Sequence, residues 1–208
     1  MVINEQYGFV FVHVPKTGGS SLTQALTQLD GNRPDWGSQS TKHETANEFL
    51  SQLPARINSS RQPPSASLKL DLFGFVRNPW DRTASLYYYL VESHPVAPTK
   101  TLNSFEQFIN LMDEKIEWIT KLHSYRSQVE YFQNSSGKII ANHIAKYEDF
   151  DNEVKVISEN LKISLDVPKL NISSNSKKDY RRLYTSHMVD IISNLYADDI
   201  SNFGYNFE

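Results

Sequence analysis

A short run near the start of the chain, residues 15 to 21 (PKTGGSS), combines a lysine, two glycines and three hydroxyl residues. It separates an apolar run, Tyr7 to Val14, from a helical pattern that begins at Ser20. A turn from strand to helix directs backbone N–H groups and the positive end of the helix dipole at one point. A lysine and hydroxyl groups at that point favour a phosphate or sulfate ligand. The candidate binding residues are Lys16, Thr17, Gly18, Gly19, Ser20 and Ser21.

A second candidate cation, Arg77, follows another apolar run, residues 68 to 76 (LKLDLFGFV). Ligands of open α/β sheets bind beyond the carboxyl ends of the strands, so Lys16 and Arg77 are predicted at the same edge. The first loop departs from the phosphate loop of nucleotide kinases, because its lysine precedes the glycines. The second strand also ends without an aspartate for Mg²⁺. An ATP-dependent kinase is therefore the weaker alternative.

The elements around these loops predict an α/β protein with a central, mostly parallel sheet flanked by helices. The run from Tyr7 to Val14 is apolar on both faces, as in a central parallel strand. Helical spacing follows from Ser20 to Leu29, and a second helix is predicted to end at Pro54. Asn78-Pro79 is a strong helix start. Further helical patterns follow Ser104 and Asp151, and a closing helix is predicted near residue 191.

Length and composition exclude several classes of protein. A chain of 208 residues is predicted to be one domain, 1–208. A formal net charge of −3 argues against a nucleic-acid binder. The absence of cysteine excludes disulfides and thiol nucleophiles. No apolar run reaches the length of a membrane span and no signal peptide is evident, so a soluble, cytoplasmic protein is expected.

The two loops together resemble the sulfotransferase superfamily, in particular its carbohydrate-type branch, which includes heparan sulfate 2-O-sulfotransferase-like proteins. The resemblance lies in PKTGGSS after a strand and in FVRNPWDR, residues 75 to 82, followed by SLYY, residues 85 to 88. It implies a P-loop-like three-layer fold and the donor 3′-phosphoadenosine-5′-phosphosulfate (PAPS), whose product is 3′-phosphoadenosine-5′-phosphate (PAP). By position, residues 16 to 21 would hold the 5′-phosphosulfate, and Arg77 with Ser85 would hold the 3′-phosphate. No metal is required.

The resemblance extends weakly to two other segments. KHETA, residues 42 to 46, looks like the acceptor-side histidine segment of the superfamily, and LNIS, residues 170 to 173, with Tyr180 looks like its donor-covering loop. Histidine titrates near neutrality and suits removal of the acceptor proton, so His43 is the predicted base, with Glu44 as its competitor. His13, inside the first strand, is predicted to be a packed, hydrogen-bonded core residue.

The predicted reaction is transfer of a sulfuryl group from PAPS to a hydroxyl, with a carbohydrate as the favoured acceptor. Lys16 would stabilise the charge that develops on the leaving phosphate oxygen, and His43 would take the proton. Besides the kinase, a module that binds the nucleotide without catalysis stays an alternative. The acceptor itself has no transferable sequence code.

Overall fold

The computed structural model describes residues 1–33, 42–59, 69–93, 99–168 and 179–207. Its strands are β1 (Val2–Asn4), β2 (Phe9–Val12), β3 (Asp71–Val76) and β4 (His143–Lys146). Its helices are α1 (Gly19–Leu26), α2 (Ala46–Ser59), α3 (Pro79–Tyr88), α4 (Phe105–Asp113), α5 (Glu117–Thr120), α6 (Phe150–Leu161), α7 (Ser186–Leu195) and α8 (Ala197–Phe203). The chain forms two compact units, one from Met1–Val76 with Gln128–Leu170 and one from Arg77–Ser127 with Asn171–Glu208.

The first unit contains a sheet whose strands, among the described residues, lie in the order β1-β2-β3-β4. β2 pairs with β3 and β3 with β4 in parallel, so Phe11 lies beside Phe73 and Phe75 beside Ala145. β1 pairs with β2 antiparallel and was not anticipated as a strand. The predicted central, mostly parallel sheet is confirmed, with β2 and β3 as its inner strands.

One buried apolar cluster of the first unit lies on one face of this sheet. Side chains alternate along a strand, so Phe9 and Phe11 of β2 share a face with Phe73 and Phe75 of β3. α1 and α6 cover that face with their apolar sides. All four residues of β2 are fully buried, as predicted for a central strand. The buried cluster comprises Val2, Phe9, Phe11, Leu22, Leu26, Phe73, Phe75, Ala145, Val154 and Ile157.

α2 begins and ends differently from the prediction. Its start is a capping box, in which Glu48 N–H donates to Thr45 Oγ1 over 3.1 Å and Thr45 N–H donates to Glu48 Oε2 over 2.8 Å. The predicted end at Pro54 is wrong, because the helix continues to residue 59 with Pro54 inside it. Beyond the proline, Arg56 donates to Gln52 and Glu44, which ties the following turn to earlier residues. These contacts offset the backbone hydrogen bond that a proline removes.

The described residues of the second unit form helices and connecting turns, without a strand among them. Asn78 caps α3 by accepting from Trp80 N–H over 3.1 Å, and Pro79 occupies the first turn, as the sequence predicts. Ser104 caps α4 in the same way. Trp80 is buried and donates its indole N–H to the Val189 carbonyl over 3.2 Å. The tryptophan therefore belongs to the core of this unit.

A buried arginine connects three segments of the second unit. Arg82 donates to the carbonyls of Ser124 and Arg126, both over 3.0 Å. Its guanidinium also lies 3.9 Å from the carboxylate of Asp199, which is fully buried and accepts from Ser127 Oγ over 2.6 Å. Arg82 thus satisfies backbone carbonyls that lie outside regular helices.

Candidate active site

The loop between β2 and α1 has an unusual backbone. Lys16 has a φ of 69° and Gly18 has a φ of 79°, both in the left-handed region. Gly18 is the N-cap of α1 and has no side chain to cap it, and its carbonyl accepts from the N–H groups of Ser21 and Leu22. The N–H groups of Gly19 and Ser20 lie in the first turn, where a helix offers no carbonyl partner. Left-handed turns at a helix start create concave sets of N–H groups that bind anions.

Two aromatic rings enclose this loop and explain its glycines. A Cβ on Gly18 would lie 2.9 Å from Cε2 of Tyr147, in addition to the strain of its positive φ. A Cβ on Gly19 would lie 2.2 Å from Cδ2 of His13 and 2.4 Å from its Nε2. The loop is therefore held between Tyr147, which directly follows β4, and His13, which directly follows β2. Tyr147 was missed in the sequence, although the position after a parallel strand was a usable signal.

The hydroxyl of Thr17 has a structural role. Thr17 is fully buried, and its Oγ1 donates to the Val14 carbonyl over 2.9 Å. The hydroxyl proton thus closes the loop on itself. Ser20 is half-buried and Ser21 is buried in the first turn of α1.

The predicted base, His43, lies against His13 within the first unit. His43 Nδ1 is 3.1 Å from the backbone oxygen of His13, and the two ring centroids are 4.8 Å apart with an interplanar angle of 71°. A carbonyl oxygen only accepts, so Nδ1 carries the proton and Nε2 carries the lone pair. His13 itself is 2% exposed, and its Nδ1 lies 3.3 Å from Thr23 Oγ1. The prediction of a packed, hydrogen-bonded His13 is confirmed.

Burial lowers the pKa of His13 well below its ordinary value. A positive charge on His43, the amino group of Met1 and Lys42 lower this pKa further. His13 is therefore neutral at physiological pH. A neutral ring beside His43 adds no charge that would oppose protonation of His43.

Glu44, the competing base, is engaged in a buried ion pair. Its two carboxylate oxygens accept from the guanidinium of Arg56 over 2.6 and 3.1 Å, and Glu44 is 7% exposed. Arg56 also lies over the ring of Phe49, with its Cζ 5.6 Å from the centroid. Both carboxylate oxygens of Glu44 are thus occupied by the guanidinium, whereas Nε2 of His43 carries a lone pair. The contacts favour His43 over Glu44 as the candidate base.

Arg77 and Ser85, the predicted 3′-phosphate residues, both belong to the second unit. Arg77 stands just before the Asn78 cap of α3, and its Nε donates to Oδ2 of Asp81 over 2.8 Å. Ser85 lies one further turn along α3 and is half-buried. Residues spaced by four share one face of a helix, so Asp81 and Ser85 lie on the same side of α3. Asp81 holds the guanidinium of Arg77 by its Nε.

The segment around Tyr180 also belongs to the second unit. Tyr180 lies on a short 3₁₀ turn, Tyr180–Leu183, and its ring centroid is 6.1 Å from that of Phe207. Arg181 is exposed, donates to Asp179 over 3.0 Å and stacks on the Tyr180 ring. The predicted donor-covering residues 170 to 173 lie outside the described residues.

Metal binding and membrane insertion each require a recognisable arrangement of residues. Residues 1–33, 42–59, 69–93, 99–168 and 179–207 contain no group of three or more histidine, aspartate or glutamate side chains arranged to bind a metal ion. No helix within those ranges is both long and apolar enough to cross a membrane.

Comparison with known proteins identifies the fold and the family. The crystal structure of a sulfotransferase from Alicyclobacillus acidocaldarius is 18% identical, with a TM-score of 0.50 over 96% of both chains. The mouse sulfotransferase SULT7A1, crystallised with PAP, is 14% identical, with a TM-score of 0.51 over 96% of this chain and 86% of that chain. Among curated proteins, none matches the sequence significantly. A family model described as "Sulfotransferase family" matches residues 1–206. The chain therefore belongs to the sulfotransferase family.

Proposed function

We propose that this protein transfers a sulfuryl group from PAPS to a hydroxyl group of a carbohydrate. The main support is the loop between β2 and α1. Lys16 and Gly18 have left-handed backbone conformations there, and the first turn of α1 follows directly. Membership of the sulfotransferase family and the PAP complex of a protein with a similar fold support a PAPS-type donor. The carbohydrate acceptor rests on the resemblance of the two loop motifs to the carbohydrate-type branch.

The residues of the loop fit an anionic group. Gly18 and Gly19 let the rings of Tyr147 and His13 pack directly against the turn, because a Cβ at either position would collide with a ring. Thr17 keeps this backbone closed through its bond to the Val14 carbonyl. Non-transferring sulfate or phosphate oxygens suit the fixed backbone N–H donors of this turn.

In the donor, the sulfur of the sulfuryl group is bonded to a phosphate oxygen. This sulfur–oxygen bond breaks as the acceptor oxygen bonds to sulfur. In this proposal the ammonium of Lys16 stabilises the negative charge that grows on the leaving phosphate oxygen. The lone pair on Nε2 of His43 takes the acceptor proton, because Nδ1–H is committed to the His13 carbonyl. Loss of the proton makes the acceptor oxygen a stronger nucleophile.

Arg77 and Ser85 are proposed to recognise the 3′-phosphate of the donor. A guanidinium matches the oxygens of a phosphate dianion, and a hydroxyl adds one further donor. Asp81 accepts from Nε of Arg77, which fixes the plane of the guanidinium. A donor that lacks the 3′-phosphate should therefore bind much more weakly.

Thermal unfolding with PAP tests the proposed function. PAP at about 100 times its Kd should stabilise the protein by about 2.7 kcal/mol, and this should raise Tm by roughly 5–11 °C for a chain of this size. ADP, which lacks the 3′-phosphate, should give a smaller shift. Absence of any shift with PAP would overturn the proposal.

Three variants assign the roles. Arg77→Ala should weaken PAP binding, whereas Arg33→Ala, which removes an arginine paired with Glu5, should leave it unchanged. His43→Ala should lower kcat for sulfation with PAP binding intact, and the exposed His187→Ala is its control. Sulfation that continues in EDTA is expected, while Mg²⁺-dependent transfer from ATP would support a kinase instead. Tight PAP binding with no sulfation of a broad glycan panel would support a non-catalytic module.

A further inference from the structure

His13 lies against the loop between β2 and α1, which is proposed to bind the donor, and against His43, the proposed base. Its Cδ2 and Nε2 occupy the space beside Gly19, where a Cβ would lie 2.2 and 2.4 Å away. Its ring also meets the ring of His43 edge to face at 4.8 Å. The buried imidazole of His13 thus packs against both the loop between β2 and α1 and His43.

The backbone of His13 selects the tautomer of His43. Nδ1 of His43 donates to the His13 carbonyl over 3.1 Å, which puts the lone pair on Nε2. A free histidine side chain prefers the opposite tautomer, with the proton on Nε2. The His13 carbonyl therefore holds His43 in the less common form, which has its basic nitrogen at the far side of the ring.

The side chain of His13 is fixed in turn by α1. Thr23 Oγ1 lies 3.3 Å from Nδ1 of His13 and sets the rotation of its ring. Thr23 is half-buried, on the turn of α1 that follows the anion-binding loop. A ring turned away from this position would change its contacts with Gly19 and His43 together.

We propose that His13 is a positioning residue, which couples the placement of the donor loop to the placement and tautomer of the base His43. Its carbonyl accepts from Nδ1 of His43, which leaves the lone pair on Nε2. Its ring, held by Thr23, fixes the position of His43 relative to Gly19. This role rests on the proposed sulfuryl transfer. It assigns to His13 no contact with either substrate.

The substitution Thr23→Val tests the side-chain part, because valine keeps the shape and removes the hydroxyl. We expect kcat for sulfation to fall by roughly tenfold, which is less than the ~100-fold loss that a full 1 Å misplacement causes. The Kd for PAP should stay within about twofold of the wild-type value. Thr23→Ser should restore kcat. The control Thr27→Val, one turn further along the chain, removes a hydroxyl whose partners among the described residues are the carbonyls of Thr23 and Gln24, and it should leave kcat unchanged.

Nitrogen-15 NMR of the histidine rings tests the carbonyl part on the protein alone. The His43 signals, assigned by their loss in His43→Ala, should show Nδ1 protonated and Nε2 unprotonated above the pKa of the ring. In His13→Asn, which removes the ring but keeps the backbone carbonyl, the proton should stay on Nδ1. If that variant does not fold, Thr23→Val is measured in the same way.

Each experiment tests one part of the proposed role of His13. A proton on Nε2 of His43 in the wild-type protein would overturn the role of the carbonyl. A folded Thr23→Val protein with wild-type kcat would overturn the role of the ring. Failure of the proposed function is distinct, since the wild-type protein would then show no stabilisation by PAP and no sulfation; that result would also remove the role of His13 in sulfuryl transfer.

Discussion

Replacing Gly19 by alanine is a sharp test of how closely the donor loop is fitted to His13. The new Cβ would lie 2.2 Å from Cδ2 of the His13 ring. Ordinary carbon contacts begin near 3.4 Å, so the ring or the start of α1 must move by more than ~1 Å. The ring is enclosed by Thr23, His43 and Phe11, and the neighbouring loop is closed by Thr17.

Two opposing effects set the expected change in stability. Alanine is a better helix former than glycine by about 1 kcal/mol, which would stabilise α1. Overpacking in a closed site costs about 1–3 kcal/mol. The net loss should therefore be only about 1 kcal/mol, or roughly 2–4 °C in Tm. Catalysis should suffer far more, because a displacement of ~1 Å costs about 100-fold in rate.

The assay compares urea unfolding, the Kd for PAP and kcat for sulfation in Gly19→Ala and in Gly137→Ala. Gly137 also has a positive φ, 76°, but a Cβ there meets nothing within 4 Å. Gly137→Ala should lose about 1 kcal/mol through backbone strain alone and keep its activity. The two variants thus lose similar stability and differ in function.

A double-mutant cycle with His13→Ala separates the collision from other effects. Removing the ring should relieve the collision, so the two changes should couple by about 0.5–3 kcal/mol in unfolding free energy. Wild-type kcat and PAP affinity in Gly19→Ala would refute the close fit. Strict additivity in the cycle would show that His13 is not what the new methyl group meets.

The remaining predictions concern stability and are measured by urea unfolding. Thr45→Ala removes the side-chain cap of α2 and should cost about 1 kcal/mol; an unchanged midpoint would mean that the cap contributes nothing. Asp199→Ala leaves a buried guanidinium without its carboxylate and should cost about 3–5 kcal/mol, whereas its exposed neighbour Asp198→Ala should stay within about 0.5 kcal/mol; equal effects would contradict the buried pair. Burial lowers the pKa of His13 below its ordinary 6.5, so the unfolded chain binds the extra proton. Stability should therefore fall as the pH drops below about 6.5, by up to ~1.4 kcal/mol per pH unit, and His13→Gln should flatten this dependence.

The parts of the fold that depend on local signals were predictable. Asn78 and Pro79 mark the start of α3, and Ser104 marks that of α4, because capping uses residues adjacent in sequence. β1 was not predictable, since three residues become a strand only by pairing with β2. Pro54 misled the prediction of α2, because Arg56 stabilises the following turn through partners that the local pattern does not show.

The same distinction applies to the candidate site. The loop from Lys16 to Ser21 is contiguous, so its residue types were enough to predict a turn from strand to helix, and anion binding there stays a prediction. The bond between His43 and the His13 carbonyl joins residues 30 positions apart and appears only in the folded chain. The pairing of Glu44 with Arg56, which weakens the case for Glu44 as the base, is likewise tertiary.

The left-handed backbone of Lys16 has a consequence for engineering. A residue with a Cβ pays about 1–2 kcal/mol for a φ of 69°, and glycine would not. A library of variants selected only for heat resistance should therefore enrich Lys16→Gly, which relieves the strain and deletes the ammonium. Such a selection would remove the proposed catalytic cation, so any thermostabilisation of this protein needs an activity screen at every round.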